Sequence, residues 1–281
     1  MAETSIARAR AAYRASQRSR GGWRRSIPLA LASLPLLLFL LLPLVALVLR
    51  VNLERLLANL RDSGVTQAIG LSLITTALTV LITVVAGTPV AYLLARRRFR
   101  GRTALDTLID LPMVLPPSVA GIALLVAFGR RGLLGQYSSA AGLEIAFTQV
   151  AVVLAQTFVA APFYVKAAVA GFAGVDRDLE QAAALDGAAP LQIFRYVTLP
   201  LAWTALFGGA VMTWARALGE FGATIIFAGN FPGRTQTMPL AIYLGFELEL
   251  NVALTLSVIL LGTSFAVLFV VKGVLRQHIK A

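Results

Sequence analysis

The sequence predicts an all-α integral membrane protein, a bundle of six membrane-spanning helices. Of its 281 residues, 58% are hydrophobic and 14% are charged, which is a low charge content for a water-soluble domain. Several apolar runs are long enough to cross about 30 Å of hydrocarbon, for which roughly 20 residues are needed. We therefore expect one membrane domain and no folded soluble domain.

The predicted spans follow one another with short connections, at about 27–49, 68–95, 109–128, 145–171, 201–228 and 252–271. They form a transmembrane domain, 27–275, between an Arg-rich arm, 1–26, and a short tail, 276–281. A signal peptide is the competing interpretation of the first span, but this apolar run exceeds the usual roughly 7 to 15 residues. Three prolines lie in Leu111–Pro117 at the start of the third span, and we expect neighbouring helices to satisfy the freed backbone groups.

The distribution of basic residues predicts the orientation of the chain. If the N-terminus is cytoplasmic, the inner segments hold 18 Lys and Arg residues and the outer segments hold 6. This satisfies the positive-inside rule and places both termini in the cytoplasm. The net charge of +12 is then explained by basic residues at the ends of the spans, so binding to nucleic acid is not needed to account for it. The Arg-rich arm either binds anionic membrane lipid or sets the orientation, and we favour orientation.

A polar segment between the fourth and fifth spans, about 172–200, predicts a helix-turn-helix elbow on the cytoplasmic side. Asp178 and Gln181 are three residues apart, as in a capping box, so a short helix can begin near Asp178. Gly187 suits the left-handed residue after a helix end, and Pro190 suits the first turn of a second helix. An ordinary amphipathic surface loop is the alternative interpretation.

This segment resembles the EAA loop of ABC-importer permeases, the segment that docks onto the partner ATPase. The match runs Gln181-Ala182-Ala183, then Gly187, then Val197, then Leu199-Pro200. The family usually has Glu where this chain has Gln181, and Glu180 stands beside it. The resemblance implies an ATPase-coupling loop that comprises Glu180, Gln181, Ala182, Ala183, Asp186, Gly187, Ala188, Pro190, Leu199 and Pro200.

The fifth predicted span contains two opposite charges, Arg216 and Glu220, which are four residues apart and can pair on one helix face. An ion in mid-membrane costs a few kcal/mol or more, so such groups usually face the bundle interior or a watery path. Together with Thr224, the pair either lines or gates a translocation path, or it is a neutralised structural pair. Both interpretations stay open at this stage.

Small and polar residues in the fourth and fifth spans predict helix contacts. Ala205 with Gly209, and Ala215 with Gly219, have the spacing that allows two membrane helices to approach closely. The polar side chains of the fourth span either line a path or bridge helices, and bridging is the preferred role; they are Gln149, Gln156 and Thr157.

Two further strings are similar to the molybdate, tungstate and sulfate group of these permeases: Leu111–Gly135, and Arg216–Thr224 with its continuation Arg234–Tyr243. The resemblance implies a type I ABC-importer permease in a bacterial or archaeal cytoplasmic membrane, working as a homodimer. It also implies two ATPase subunits on the elbows and an external binding protein that delivers a tetrahedral oxyanion. Molybdate is the first expectation, and sulfate or tungstate is the alternative.

Several chemical signatures are missing from the sequence. It has no Gly-x4-Gly-Lys-Ser/Thr phosphate loop, so we expect ATP and Mg²⁺ to bind to the partner subunit and no cofactor to bind to this chain. With no Cys and a single His, His278, we expect no metal site and no catalytic residue, hence no enzyme. A secondary transporter or channel would need titratable groups at mid-membrane, and Glu220 is the only clear carboxylate there, so this alternative is less favoured. A membrane scaffold without transport is a further alternative.

Overall fold

The computed structural model describes residues 22–280, and every regular element in that range is helical. The chain divides into two units, of which the first, up to Asn52, contributes one described helix and the second begins at Leu53. Most of the predicted Arg-rich arm, 1–26, and the last residue of the predicted tail lie outside the described residues. The helix of the first unit is α1, Gly22–Arg50, which contains Pro28, Pro35 and Pro43.

The second unit consists of long apolar helices joined by short ones. In chain order they are α2 Leu53–Asn59, α3 Ser63–Arg96, α4 Arg102–Val114, α5 Pro117–Phe128, α6 Gly135–Ala140, α7 Gln149–Ala173, α8 Arg177–Leu185, α9 Pro190–Ile193, a π-helical turn Phe194–Thr198, α10 Leu199–Leu218, α11 Gly222–Phe227, α12 Met238–Leu248 and α13 Leu250–Lys280. Within residues 22–280, five helices are long and apolar enough to cross a membrane, or six if the bent pair α4–α5 counts as one span. The predicted all-helical membrane fold is therefore confirmed.

The third predicted span is not a single straight helix, so that prediction was wrong in detail. The chain turns by 116° between α4 and α5. Pro116 and Pro117 lie at the turn, and Pro117 opens the second helix, because a proline lacks the N–H that an internal helix position would need. The apolar run continues through this turn, which explains why hydropathy alone joined the two helices.

The fifth predicted span is also interrupted. Helix α10 ends at Leu218, and Gly219, Glu220 and Phe221 separate it from the short helix α11. Before that break, α9, the π-helical turn and α10 form one continuous run of 29 residues, Pro190–Leu218. The fifth span is therefore joined without interruption to the elbow that precedes it.

Helix α12 was not predicted, because its residues lie between a turn-rich loop and the sixth span. The loop itself is held by Phe231, whose backbone N–H donates to the hydroxyl of Thr235 at 3.1 Å. The start of α12 is fixed from another helix: the backbone N–H of Met238 donates to the hydroxyl of Ser72 in α3 at 2.7 Å. That partner is 166 residues away in sequence, so local signals could not indicate it.

Helices α3, α7 and α10 pack together and form the centre of the second unit. An added Cβ at Gly209 in α10 would lie 2.7 Å from the Cβ of Ala167, and one at Gly171 would lie 2.6 Å from that of Ala205. The predicted close contact through Ala205 and Gly209 is thus confirmed, and its partner is α7. At Gly219 the nearest atom to an added Cβ would be the carbonyl oxygen of Ala215, 3.8 Å away, so within residues 22–280 the predicted close helix contact is not seen at Gly219.

A buried polar bridge joins α3 to α7. The Thr79 hydroxyl donates to the side-chain oxygen of Gln156 at 3.1 Å, and both side chains are buried. The predicted bridging role of Gln156 is therefore confirmed. Such a hydrogen bond is needed in this place, because an unpaired buried amide costs about 1–3 kcal/mol.

Candidate functional site

The elbow has the helix-turn-helix form that the sequence predicts. Helix α8 ends at Leu185, and Gly187 follows with φ of 87°, in the left-handed region. The N–H of Ala188 donates to the carbonyl of Ala183 at 3.0 Å, which closes the helix end. Pro190 begins α9, and the Gln192 side-chain oxygen accepts from the N–H of Ala189 at 2.7 Å. Gly187 and Pro190 thus occupy the predicted backbone positions.

The start of the elbow differs from the prediction. The N-cap of α8 is Asp176, whose carboxylate accepts from the N–H of Asp178 at 3.0 Å. Asp178 lies in the first turn of the helix, so the capping box of Asp178 and Gln181 was wrong. Two aspartates two residues apart can each cap a helix, and the local sequence does not distinguish them.

Glu180 fastens the elbow to the end of α3. Its Oε1 accepts from Arg96 Nη2 at 2.9 Å and from the hydroxyl of Thr198 at 2.6 Å. The same Arg96 nitrogen also donates to the carbonyl of Val175 at 3.1 Å, just before α8. The Arg96 and Glu180 side chains are 8% and 17% exposed, so this ion pair is largely shielded from water. Sequence reasoning treated Arg96 as an orientation charge and missed this role.

An aromatic cluster fastens the other half of the elbow. Phe194, in the π-helical turn, lies edge-on to Tyr92 of α3 with ring centroids 5.1 Å apart. Tyr92 is also edge-on to Phe172 of α7 at 5.5 Å. Edge-to-face aromatic pairs contribute about 0.5–1.5 kcal/mol each beyond the area that they bury. Each limb of the elbow is therefore attached to the rest of the second unit.

The remaining face of the elbow is exposed. Gln181, Ala182 and Gly187 are exposed, as are the leucines on either side of the turn, Leu185 and Leu191. Leu185 and Leu191 therefore leave apolar surface uncovered on both sides of the turn. Glu180 and Gln181 thus divide two roles between them: Glu180 holds the elbow internally, and Gln181 belongs to the open surface.

The elbow lies at the same end of the second unit as the basic residues that close α3. Arg96 contacts Glu180 directly, and Arg97 and Arg98 follow it at the end of α3. The remaining residues of the predicted coupling loop are in part shielded: Ala183 and Ala188 are half-buried, and so is Leu199, while Asp186 and Pro200 are exposed.

A second ion cluster joins α4 to α7 and was not predicted. Lys166 Nζ contacts Asp106 Oδ1 at 2.7 Å and Asp110 Oδ2 at 2.8 Å. The three side chains are half-buried, and the two aspartates are four residues apart, which places both on one face of α4. That spacing was the signal in the sequence that could have indicated the cluster.

The predicted pair in the fifth span is formed, but across a helix end. Arg216 Nη1 lies 2.8 Å from Glu220 Oε2, and the two side chains are 30% and 1% exposed. The other carboxylate oxygen accepts from the N–H of Ala223 at 2.9 Å. Glu220 therefore neutralises Arg216 and also caps the start of α11, so that a buried carboxylate has two partners.

Thr224 lies in the first turn of α11 and is fully buried. Its hydroxyl finds no hydrogen-bond partner within the described part of the chain. The start of α11 lies against the bend between α4 and α5, where an added Cβ at Gly222 would be 2.7 Å from that of Pro117. The break in the fifth span and the bend in the third are thus adjacent, and Arg216 supplies a partly accessible positive charge there.

Across residues 22–280 no group of three or more His, Cys, Asp or Glu side chains is arranged to hold a metal ion. The chemically distinctive features of the described chain are instead a firmly attached elbow and adjoining breaks in two apolar segments. Together these features define a multi-span helical membrane protein whose elbow is attached on one side and exposed on the other.

Comparison with known proteins identifies the family. Residues 87–279 match the family described as "Binding-protein-dependent transport system inner membrane component", and this chain belongs to that family. A curated relative from Mycobacterium tuberculosis, "Molybdenum transport system permease protein ModB", is 45% identical over 224 residues, which are 80% of this chain and 85% of the relative. A probable molybdenum ABC transporter permease protein of Haloferax volcanii is 39% identical over 250 residues, 89% of this chain and 90% of the relative.

Solved structures agree on the fold. A bacterial ABC transporter involved in the import of alginate matches with a TM-score of 0.70 at 15% identity, covering 94% of this chain and 98% of that chain. An inward-facing MetNI methionine ABC transporter matches with a TM-score of 0.56 at 18% identity, covering 76% of this chain and 94% of that chain. At these identities the likeness concerns the fold alone. The fold is thus the one found in permeases of ABC importers.

Proposed function

We propose that this chain is the permease subunit of an ATP-driven importer that moves molybdate across the cytoplasmic membrane. The relatives from Mycobacterium tuberculosis, Haloferax volcanii and Escherichia coli all carry molybdenum transport in their names. The family description makes transport dependent on a binding protein, which fits delivery of the anion from outside. Sulfate and tungstate have the same tetrahedral shape and are the alternative substrates.

One observation carries the proposal: the elbow is fastened on one side and open on the other. The Arg96–Glu180 pair and the Phe194 contacts hold it to α3 and α7. The coupling residues predicted from the sequence surround an exposed turn at Gly187, and Leu185 and Leu191 extend that surface. A part that transmits force needs both properties, because a loose elbow would absorb the movement of its partner.

The continuous helical run after the elbow provides the lever. Pro190–Leu218 contains 29 residues, so at 1.5 Å per residue it is about 40 Å long. In our proposal, ATP-driven closure of two ATPase subunits displaces the elbow, and this run carries the displacement to Arg216 and Glu220. A ligand or partner can shift such a two-state bundle because it binds one state more tightly than the other.

The break beyond α10 is the proposed path or gate, with Arg216, Glu220 and Thr224 as its residues. An anion in the membrane needs compensation of its charge, and Arg216 is partly accessible while its own charge is balanced by Glu220. A balanced pair attracts an oxyanion weakly, so the ion can also leave. Movement of α10 relative to α11 would stretch or release the pair, since its two members lie on either side of the helix end.

The proposed assembly contains two copies of this chain, two ATPase subunits that bind ATP and Mg²⁺, and one external binding protein. Both termini and the elbow lie in the cytoplasm in this proposal. The support is the excess of basic residues in the predicted inner segments, 18 against 6, and the contact of the elbow with Arg96 at that end. In this proposal the Arg-rich arm, 1–26, is cytoplasmic and sets the orientation of the chain.

Uptake of labelled molybdate into proteoliposomes tests the proposal. The chain is reconstituted with its ATPase and binding protein, and Gly187→Val is compared with Gly142→Val. Both glycines have positive φ, 87° and 77°, and an added Cβ meets nothing within 4 Å at either, so the backbone strain of about 1–3 kcal/mol is matched. We expect Gly187→Val to lower the molybdate transported per ATP at least fivefold and Gly142→Val to leave it within twofold.

If the two variants transport the same amount of molybdate per ATP, the coupling role of the elbow is contradicted. The substrate is tested separately by competition: excess unlabelled molybdate should suppress uptake, and sulfate at the same concentration should not. Suppression by sulfate as strong as by molybdate would replace molybdate with the broader oxyanion alternative and leave the coupling role intact.

A further inference from the structure

A pocket lies at the end of α3 beside the elbow, apart from the break in the fifth span. Its volume is about 300 Å³. It is lined by eight residues, of which five are arginines: Ala95, Arg96, Arg97, Arg98, Arg102, Ala173, Val175 and Arg177. No carboxylate belongs to this lining, so we call it the arginine pocket.

The charge of the arginine pocket is mostly uncompensated. Arg96 pairs with Glu180, but within residues 22–280 the other four arginines of the lining form no ion pair. They come from three segments of the chain: the end of α3, the start of α4 and the start of α8. Like charges gathered from separate segments repel one another, so the arrangement favours an anion between them.

Arg96 provides independent evidence for a ligand. Its side chain is more than nine-tenths buried and lies in the wall of the pocket. Nη2 serves both Glu180 and the carbonyl of Val175, whereas Nε is buried and finds no acceptor among the described residues. A buried donor without an acceptor costs about 1–3 kcal/mol, so Arg96 keeps unused hydrogen-bonding capacity in the wall of the pocket.

We propose that the arginine pocket binds a phosphate group. Planar guanidinium groups form paired hydrogen bonds with the oxygens of phosphate, and several of them can surround its tetrahedral shape. The phosphate can come from the headgroup of an anionic phospholipid or from free inorganic phosphate. The end of a membrane-spanning helix is the level at which lipid phosphates lie, and basic residues there attract anionic lipid.

Binding at this place would act on the elbow. Arg96 joins the pocket to Glu180, and Arg177 belongs to the first turn of the elbow helix α8. A phosphate between the two would reduce the repulsion among the arginines and hold α8 against the end of α3. The proposal does not depend on the identity of the transported ion.

The test compares two probes on the purified full-length chain in neutral detergent. Short-chain phosphatidylglycerol is titrated and counted by native mass spectrometry, with phosphatidylcholine as the uncharged-headgroup control, and radiolabelled inorganic phosphate is measured by equilibrium dialysis. The variant is Arg97→Gln with Arg98→Gln, and the matched control is Arg130→Gln with Arg131→Gln, a pair of neighbouring arginines outside the pocket. Arg96 is left unchanged because it holds Glu180.

We expect one phosphatidylglycerol per chain, at least tenfold weaker binding in the pocket variant and affinity within twofold of wild type in the control. Binding should weaken as salt is raised, because exposed charges are screened. If inorganic phosphate binds to the wild-type chain and its binding is weakened by the pocket variant and by salt, the pocket accepts the free anion. If inorganic phosphate does not bind, the phosphate group comes from the lipid headgroup. The single change Arg102→Gln repeats the test should the double variant fail to fold.

Wild-type affinity for both probes in the pocket variant would overturn the proposal, as would the absence of binding to the wild-type chain. A pocket variant that binds both probes normally but loses its ATPase subunit would also overturn it, because the arginines would then form a protein-docking surface. Inactive transport with intact phosphate binding would count against the proposed function and leave the pocket assignment standing.

Discussion

Replacing Glu180 by alanine should loosen the elbow and leave the rest of the second unit folded. Glu180 is the point at which α8, Thr198 and the end of α3 are joined, through hydrogen bonds of 2.9 Å and 2.6 Å to one carboxylate oxygen. Its removal leaves the Arg96 guanidinium largely buried, with the Val175 carbonyl as its remaining acceptor among the described residues. The aromatic contacts of Phe194 stay in place, so the change is confined to α8 and its turn.

The size of the effect of Glu180→Ala follows from the burial of the Arg96–Glu180 ion pair. Breaking a fully buried ion pair costs about 3–5 kcal/mol, and an exposed pair contributes about 0–1 kcal/mol. With side chains 8% and 17% exposed, Arg96 and Glu180 lie close to the buried limit, and we take about 3 kcal/mol after allowing for partial solvation. At 1.36 kcal/mol per factor of ten, local opening of the elbow becomes about 100-fold more frequent. Glu180→Gln keeps a hydrogen-bond acceptor in place, so we expect local opening of the elbow to become about tenfold more frequent.

Hydrogen–deuterium exchange of peptides from 177–198 measures this opening. The matched control is Glu144→Ala, which removes a partner of Arg130 at the same 2.9 Å distance but with side chains 81% and 57% exposed. We expect less than a fivefold change around Glu144. Similar small changes in both variants would show that burial does not make the Arg96–Glu180 pair strong.

Two further predictions concern packing and the α4 cluster. Gly209→Ala should lower the free energy of unfolding by about 1–3 kcal/mol, because its Cβ would lie 2.7 Å from that of Ala167. In Gly208→Ala the added Cβ would meet nothing within 4 Å, so the free energy of unfolding should stay the same or rise by up to about 1 kcal/mol. Equal melting temperatures of the two variants would contradict this prediction. Lys166→Met leaves the two α4 aspartates unpaired at half-buried positions and should speed hydrogen exchange of α4 about tenfold. Lys166→Arg should restore the protection. Unchanged exchange in Lys166→Met would show that the cluster does not hold α4 to α7.

The elbow could be predicted from sequence because its signals are local. Gly187 stands where the chain needs a positive φ, and Pro190 stands where a missing N–H costs nothing, so each residue type indicates its own backbone position. The error at its start has a local cause as well, since Asp176 and Asp178 are equally suited to cap a helix. The Arg216–Glu220 pair was predictable from its spacing, although the helix end between them was not.

The contacts that attach the elbow could not be predicted, because they join residues far apart in sequence. Arg96 and Glu180 are separated by 84 residues, and Lys166 and Asp106 by 60. Hydropathy assigns a basic residue at a span end to orientation and does not indicate its partner. It also joins apolar runs across a turn, which is why the 116° bend before Pro117 was read as a single span.

The most direct test of the proposed coupling role is to determine on which side of the membrane the elbow lies. The chain contains no cysteine, so single-cysteine variants can be labelled without background. Gln181→Cys on the elbow and Ala141→Cys after α6 are both exposed positions and are treated with a membrane-impermeant maleimide in spheroplasts. We predict that Ala141→Cys reacts at once and that Gln181→Cys reacts after the membrane is opened. Immediate labelling of Gln181→Cys in sealed spheroplasts would contradict it, because no ATPase could then reach the elbow.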